Sequence, residues 1–285
     1  LNNQQLLVVT AAQKGLFYEV ALSPKPGLVD RLTNGAHNDM DFYLFIDSIL
    51  ALTPYFSQYL NAGLTHKTAP ATLFPILREL GQQAENAMFA ATKGVNTHKG
   101  ANFSFAVLLG ATGLHLQKNQ LPLTAADSKN ILTLSQAITQ DLLKNDFKNV
   151  AAKKNLTHGE KLYLAKGATG IRGQAAAGYP ALGKVLLPYL RQNRDLPRDE
   201  LLLRALVFLM SELEDSNILH RGGQEALLTL KSEMQQLHTA NLDTCELTKQ
   251  LRQYDKILTS RNWSPGGAAD LLSLGIYFAL LENLF

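Results

Sequence analysis

His98 and Lys99 lie in the stretch GVNTHKG, Gly94 to Gly100, between two runs of helical apolar spacing. Gly94 is placed to end the first helix, because glycine adopts left-handed backbone without steric cost. Thr97 is placed to cap the second, which puts a histidine and a lysine in its first turn. A cation beside the positive end of a helix dipole is typically unfavourable by about 0.3–1 kcal/mol. Free backbone N–H groups, the dipole and Lys99, with Asn96 and Thr97 alongside, have the makings of an anion site. A lysine that simply extends into water is the alternative.

Four further junctions carry glycine beside polar or charged residues. In SPKPGLVDRLTNGAHNDMD, Ser23 to Asp41, the two prolines stiffen a turn that is expected to hold Lys25 outward. His37, Asp39 and Asp41 follow at an expected helix start, where the aspartates fit either capping or oxygen ligation of Mg²⁺ carried by a polyphosphate. In THGEKLYLAKGATGIRGQAAAGYP, Glu160 fits a capping box, and Arg172 stands between Gly170 and Gly173, where a guanidinium could pair with phosphate. EDSNILHRGG brings Asp215, Asn217, His220 and Arg221 before Gly222 and Gly223. NWSPGGAADLL places Ser264, Gly266 and Gly267 at a helix start, with Asp270 one turn on. Trp263 fits packing, or stacking on a base. Together these loops suggest a pocket between helix ends for phosphorylated ligands, with acidic residues for a metal or for acid–base work.

The elements that must position these loops read as helices. Apolar residues recur at three and four, as in LLLRALVFLMSELE, and alternating β-branched runs are hard to find. About ten helices are expected, near 3–22, 38–62, 70–93, 98–118, 124–145, 158–167, 173–191, 198–213, 221–238 and 265–284, with a further one over 241–259. Thr124–Asp127 and Thr157–Glu160 have capping-box spacing, and SPGG puts Ser264 at a cap and Pro265 in the first turn. The expectation is an all-α bundle in a single domain over 1–285.

With 46% hydrophobic and 18% charged residues the chain can bury a substantial core. A net charge of +3, with basic residues scattered, argues against a nucleic-acid groove. The stretch LLSLGIYFALL is too short to cross a bilayer, so no membrane partner is expected. The amino end has no basic region or long apolar core and does not read as a signal peptide. Cys245 is the single cysteine, which excludes an internal disulfide and suggests a cytoplasmic protein.

The segments KPGLVDRLTNGAHNDMD, GVNTHKGANFS, THGE, GATGIRGQAAAGYP, DSNILHRGG and NWSPGGAADLLSL span Lys25 to Leu274. In that order they resemble the triphosphoribosyl-dephospho-coenzyme A synthases, which build the prosthetic-group precursor of citrate lyase and malonate decarboxylase. The resemblance implies that the 2′-hydroxyl of 3′-dephospho-coenzyme A attacks the ribose anomeric carbon of ATP, and adenine leaves. It implies Mg²⁺ with the ATP, and leaves a homodimer open. Asp39 and Asp41 are then candidates for metal or acid–base roles, His37 and His98 for carrying protons, and Asp215 and Asp270 for metal. Lys25, Asn96, Thr97, Lys99, Gly170, Arg172, Gly173, Arg221, Gly222, Gly223, Ser264, Gly266 and Gly267 are candidates for holding phosphate. In the family pattern the segment after the arginine reads Arg-Gly-Glu, whereas here Gln174 takes the glutamate position. Two other readings remain: a metal-dependent all-α hydrolase of nucleotides or ADP-ribosyl groups, and a non-catalytic carrier-protein maturation factor.

Overall fold

The computed structural model describes residues 2–148, 150, 156, 163–164 and 167–285. Among these no strand forms, and the fold is all-α. In chain order the helices are α1 (Asn3–Ala21), α2 (Phe42–Thr65), α3 (Phe74–Ala91, entered through the 3₁₀ turn Pro70–Leu73) and α4 (Lys99–Leu116). Next come α5 (Ala125–Ile138), α6 (Leu142–Phe147), α7 (Gly170–Ala176) and the π-helical turn Ala181–Leu186, which runs into α8 (Leu187–Gln192). Then follow α9 (Arg198–Glu212), α10 (Ser216–Thr239), α11 (Thr244–Ser260) and α12 (Gly266–Leu281).

Two helices form the centre. In α12 every residue from Leu271 to Ala279 is buried, and in α4 every residue from Ser104 to Gly113. A helix that is apolar all round belongs in an interior. Small residues let the neighbours approach: a Cβ on Gly63 of α2 would stand 2.1 Å from the Gly110 carbonyl oxygen of α4. One on Gly15 of α1 would stand 2.6 Å from that of Ser273 in α12. Tyr277 and Thr112 hydroxyls meet at 2.8 Å and tie the two central helices together.

The expected boundaries hold where local chemistry is decisive. The Thr124–Asp127 capping box forms, with Thr124 N donating to the aspartate at 2.9 Å and Asp127 N to the threonine hydroxyl at 3.2 Å. The expected helix 38–62 instead begins at Phe42, because Asp41 caps it by accepting from Leu44 N at 2.8 Å. The expected 124–145 ends α5 at Ile138, and Thr139 turns its hydroxyl to the Ala175 carbonyl at 2.9 Å. The expected 173–191 breaks at Gly178 and Tyr179, both left-handed, before Pro180. The expected 221–238 starts five residues earlier, at Ser216. The expected helix 158–167 and the Thr157–Glu160 box lie outside the described residues. No helix among the described residues is long and apolar enough to cross a membrane.

Candidate active site

The amino ends of α4, α7, α10 and α12 meet the loop after α1 around a cavity of about 1040 Å³. From the loop after α1 it receives Lys25, His37 and Asp39, and from the approach to α4 it receives Asn96, Thr97, His98 and Lys99. Gly170 and Gly173 line it from α7, Asp215 and Arg221 from α10, and Ser264, Gly266, Gly267 and Asp270 from the start of α12. Asp41, Arg172, Gly222 and Gly223 do not line it.

Several of these side chains do something other than the sequence suggested. Lys25 does not point outward: it is 1% exposed and ion-paired with the buried Glu19 of α1. Burial pushes the Glu19 carboxyl up, against the pull of Lys25. Thr97 does not cap α4. His98 occupies that position without a side-chain cap bond, and Asn96 Oδ1 accepts from Lys99 N at 3.3 Å. Lys99 is paired with Glu85 of α3 at 2.6 Å rather than free.

His98, which the sequence suggested as a proton carrier, is buried at the cavity wall. Burial, and then the nearby Lys25 charge, push its ring down to about 3. Thr97 donates its hydroxyl to Ser48 Oγ at 2.7 Å, and Ser48 Oγ lies 2.7 Å from His98 Nδ1. Ser48 is fully buried, so its own proton must go to a partner, and Nδ1 is the acceptor at hand. The remaining proton therefore sits on Nε2, which is buried with no partner among the described residues. With its ring held low, His98 carries one donor that no described residue accepts.

His37 is half of a second cluster. Its Nε2 lies 2.8 Å from Ser264 Oγ, and its Nδ1 lies 3.4 Å from Arg221 and 3.7 Å from Asp39 Oδ1. Burial and the Arg221 charge push the ring down, with Asp39 opposing. Arg221 is fixed by the Ala36 carbonyl at 3.0 Å and Asn262 Oδ1 at 2.8 Å. Asp39 is 57% exposed, on the open side. Ser264 does not cap α12, which starts at Gly266 behind Pro265.

The acidic set proposed for a metal does not assemble. Asp41 caps α2. Asp215 Oδ1 accepts from Asn217 N at 2.8 Å and Ile218 N at 3.2 Å, and its Oδ2 accepts from Ala268 N at 3.0 Å. It therefore joins the first turns of α10 and α12, and those donors partly offset the rise that burial causes in its carboxyl. Gly266 and Gly267 are small because Asn217 and Asp215 press on them: Cβ atoms there would stand 2.7 and 2.9 Å from those side chains. Among the described residues no three His, Cys, Asp or Glu side chains are grouped to hold a metal ion.

Asp270 differs. It lines the cavity, and its carboxyl group accepts no hydrogen bond among the described residues. Burial, with Glu19 and Asp215 nearby, holds its carboxyl well above the usual carboxylate range. The site thus contains one aspartate held as an acid and one, Asp39, on an open wall beside a guanidinium.

A model of the ATP:dephospho-CoA triphosphoribosyl transferase family matches residues 6–285. This chain belongs to that family. It is similar to the probable 2-(5''-triphosphoribosyl)-3'-dephosphocoenzyme-A synthase of Streptococcus mutans, 50% identical over 283 residues, covering 96% of this chain and 95% of the relative. The proteins of the same name from Streptococcus equi subsp. equi and Streptococcus pyogenes serotype M49 are 50% and 47% identical, over 95% and 96% of each chain. No solved structure matches.

Within this transferase family member the remaining sequence candidates fall at the rim or outside. Arg172 pairs with Asp146 at 2.8 Å and faces a neighbouring smaller cavity. A Cβ on Gly222 would stand 2.7 Å from Trp263 Nε1, so Gly222 admits the indole rather than phosphate. Trp263 itself packs there and under Arg261, 4.8 Å from the ring centre. Gly223, at φ +76° and ψ −167°, breaks α10. Glu19 and Ser48 are site residues that sequence reasoning missed. Their only signal was a polar residue on an otherwise apolar helical face.

Proposed function

We propose that the protein transfers the triphosphoribosyl group of ATP to the 2′-hydroxyl of 3′-dephospho-CoA, releasing adenine. The full-length match to the transferase family carries this reading. The hydrolytic and non-catalytic readings have no comparable support. In the transfer, the C1′–N9 bond of ATP breaks and a C1′–O2′ bond forms. The departing adenine takes up a proton, and the acceptor hydroxyl gives one up.

We assign the donated proton to Asp270 and the accepted one to Asp39. Support comes from their environments: Asp270 is a buried carboxyl shifted well up, which suits a proton donor, and Asp39 is an exposed carboxylate beside Arg221, which suits an acceptor. Carboxylates also stabilise the oxocarbenium character expected of a glycosyl transfer. The start of α4, with Lys99 and the His98 donor, suits the triphosphate, which must be held by donors without being cleaved. Arg221 and the Ser264 hydroxyl suit a second anionic group. Mg²⁺ enters as the counter-ion of ATP, and no step above depends on a protein-bound metal.

The test is incubation with ATP, Mg²⁺ and 3′-dephospho-CoA, followed by chromatography and mass spectrometry. Free adenine and a triphosphoribosylated acceptor are expected, with no phosphate released. Release of phosphate or ADP without adenine overturns the reading, and product formation without the acceptor indicates a hydrolase.

A further inference from the structure

A second cavity, of about 280 Å³, lies between α3 and α4 and meets the large one at Lys99, Gly100 and Ile171, which line both. Leu77, Phe103, Ala106 and Val107 make its wall apolar. Asn102, also on that wall, has both ends of its amide engaged: Oδ1 accepts from Tyr59 Oη at 2.9 Å, and Nδ2 donates to the Gly81 carbonyl at 3.0 Å. The same cavity is edged with cations. Arg78 and Arg172 share the Asp146 carboxylate at 2.5 and 2.8 Å, which leaves one positive charge in excess. Lys99 stands at the junction, paired with Glu85.

An apolar wall with a cationic edge selects a ligand that carries an anionic group next to a hydrocarbon body. If the functional reading above holds, the two reacting riboses must share the large cavity. Of the two substrates, only the acceptor has a part remote from its ribose that is not nucleotide. That part begins at a diphosphate and continues through a carbon bearing two methyl groups. We propose that the smaller cavity takes the pantetheine arm of dephospho-CoA, with the diphosphate lying beside Arg172. Arg172 is then a specificity residue for the acceptor rather than a ligand of the triphosphate.

Gly81 provides the test. It lines this cavity, it is inside α3, and a Cβ there would meet only Tyr59 Oη, at 4.0 Å. Gly81→Leu should therefore fold, since leucine is the better helix former, and should fill the cavity. Calorimetry with 4′-phosphopantetheine should detect binding to the unaltered protein and at least tenfold weaker binding to Gly81→Leu. The kcat/KM preference for dephospho-CoA over ADP, which is the same acceptor without its arm, should fall at least tenfold. The KM for ATP should not rise. A melting curve checks the fold, and Gln82→Trp, at an exposed position on the cavity edge, should reduce the same preference.

Unchanged phosphopantetheine binding and an unchanged preference in both variants overturn the proposal. So does a rise in the KM for ATP alone, which would put the base of the donor in this cavity. The two readings fail separately. Phosphopantetheine binding without any transfer sinks the functional reading and leaves the cavity assigned. Transfer to dephospho-CoA and ADP with equal efficiency sinks the cavity and leaves the function.

Discussion

Gly100 and the carboxyl group of Asp270 are in such close contact that a Cβ on residue 100 would stand 2.3 Å from Asp270 Oδ2. The first turn of α4 and α12 one turn from its start therefore meet without a side chain between them. Gly100→Ala should push the Asp270 carboxyl aside while giving α4 a better helix former. The expected result is an unchanged or slightly higher melting temperature with kcat reduced more than tenfold. An active Gly100→Ala would mean that the position of Asp270 is not critical.

Asp270→Asn separates an acid from a merely polar group. Loss of general acid catalysis commonly costs about 10²–10⁴-fold in rate. With 7-methyladenosine triphosphate, whose base is already cationic and leaves without a proton, the variant should lose far less. Equal losses on both donors would assign Asp270 a structural role. Stability supplies a second readout. The folded protein keeps on Asp270 a proton that the unfolded chain releases above its ordinary value of 3.8, so this group makes stability fall as pH rises from there through the raised folded value. Asp270→Asn should therefore gain stability over the unaltered protein at pH 8 relative to pH 4.

His98 titrates with the opposite sense. Its folded value near 3 lies below the ordinary 6.5, so between those limits the unfolded chain binds a proton that the native ring refuses. Stability should fall as pH drops through that window, and His98→Gln should flatten the slope. Nitrogen-15 spectra at pH 6 should show Nδ1 bare and Nε2 protonated, and Ser48→Ala should remove that bias. An imidazolium at pH 6 would contradict the assignment.

The helices were legible because apolar spacing and end residues act over a few positions. Thr124, Asp127 and Gly94 needed no distant partner to be read. The gathering of loops was legible too, since glycine beside charge at several helix ends has little use in a plain bundle. Individual roles were not, because they depend on partners far along the chain. Asp215 looked like a metal ligand until Ala268 N, 53 residues on, was seen to occupy its second oxygen. Lys25 looked exposed because nothing local marks Glu19 as its buried partner. Thr97 had the type and spacing of a cap, but its hydroxyl is drawn to Ser48 on another helix.

Gln174 stands where the family pattern has glutamate. It lines the large cavity, but its Oε1 accepts from Ala181 N at 3.1 Å, at the start of the π-helical turn. A glutamate oxygen can accept the same bond. Gln174→Glu should therefore melt within a few degrees of the unaltered protein and keep its rate. A rise in kcat of tenfold or more would instead mark this position as a missing acid or base.

The pair of Lys99 and Glu85 offers a test of what the opening of α4 holds. Their 2.6 Å pair is partly exposed, the lysine 40% and the glutamate 28%, so breaking it should change stability by only about 0–1 kcal/mol. That loss works against the relief of removing a cation from the positive end of a helix, which is about 0.3–1 kcal/mol. The melting temperature of Lys99→Ala should therefore hardly move. Its affinity for ATP should fall, because a charge-assisted contact to phosphate contributes about 1.5–3 kcal/mol. Glu85→Gln should do the opposite and tighten ATP binding, since it frees the ammonium group from a competing carboxylate. Isothermal titration of both variants reads the two signs. Normal ATP binding by Lys99→Ala, together with unchanged binding by Glu85→Gln, would remove Lys99 from the phosphate site and leave it as a link between α3 and α4.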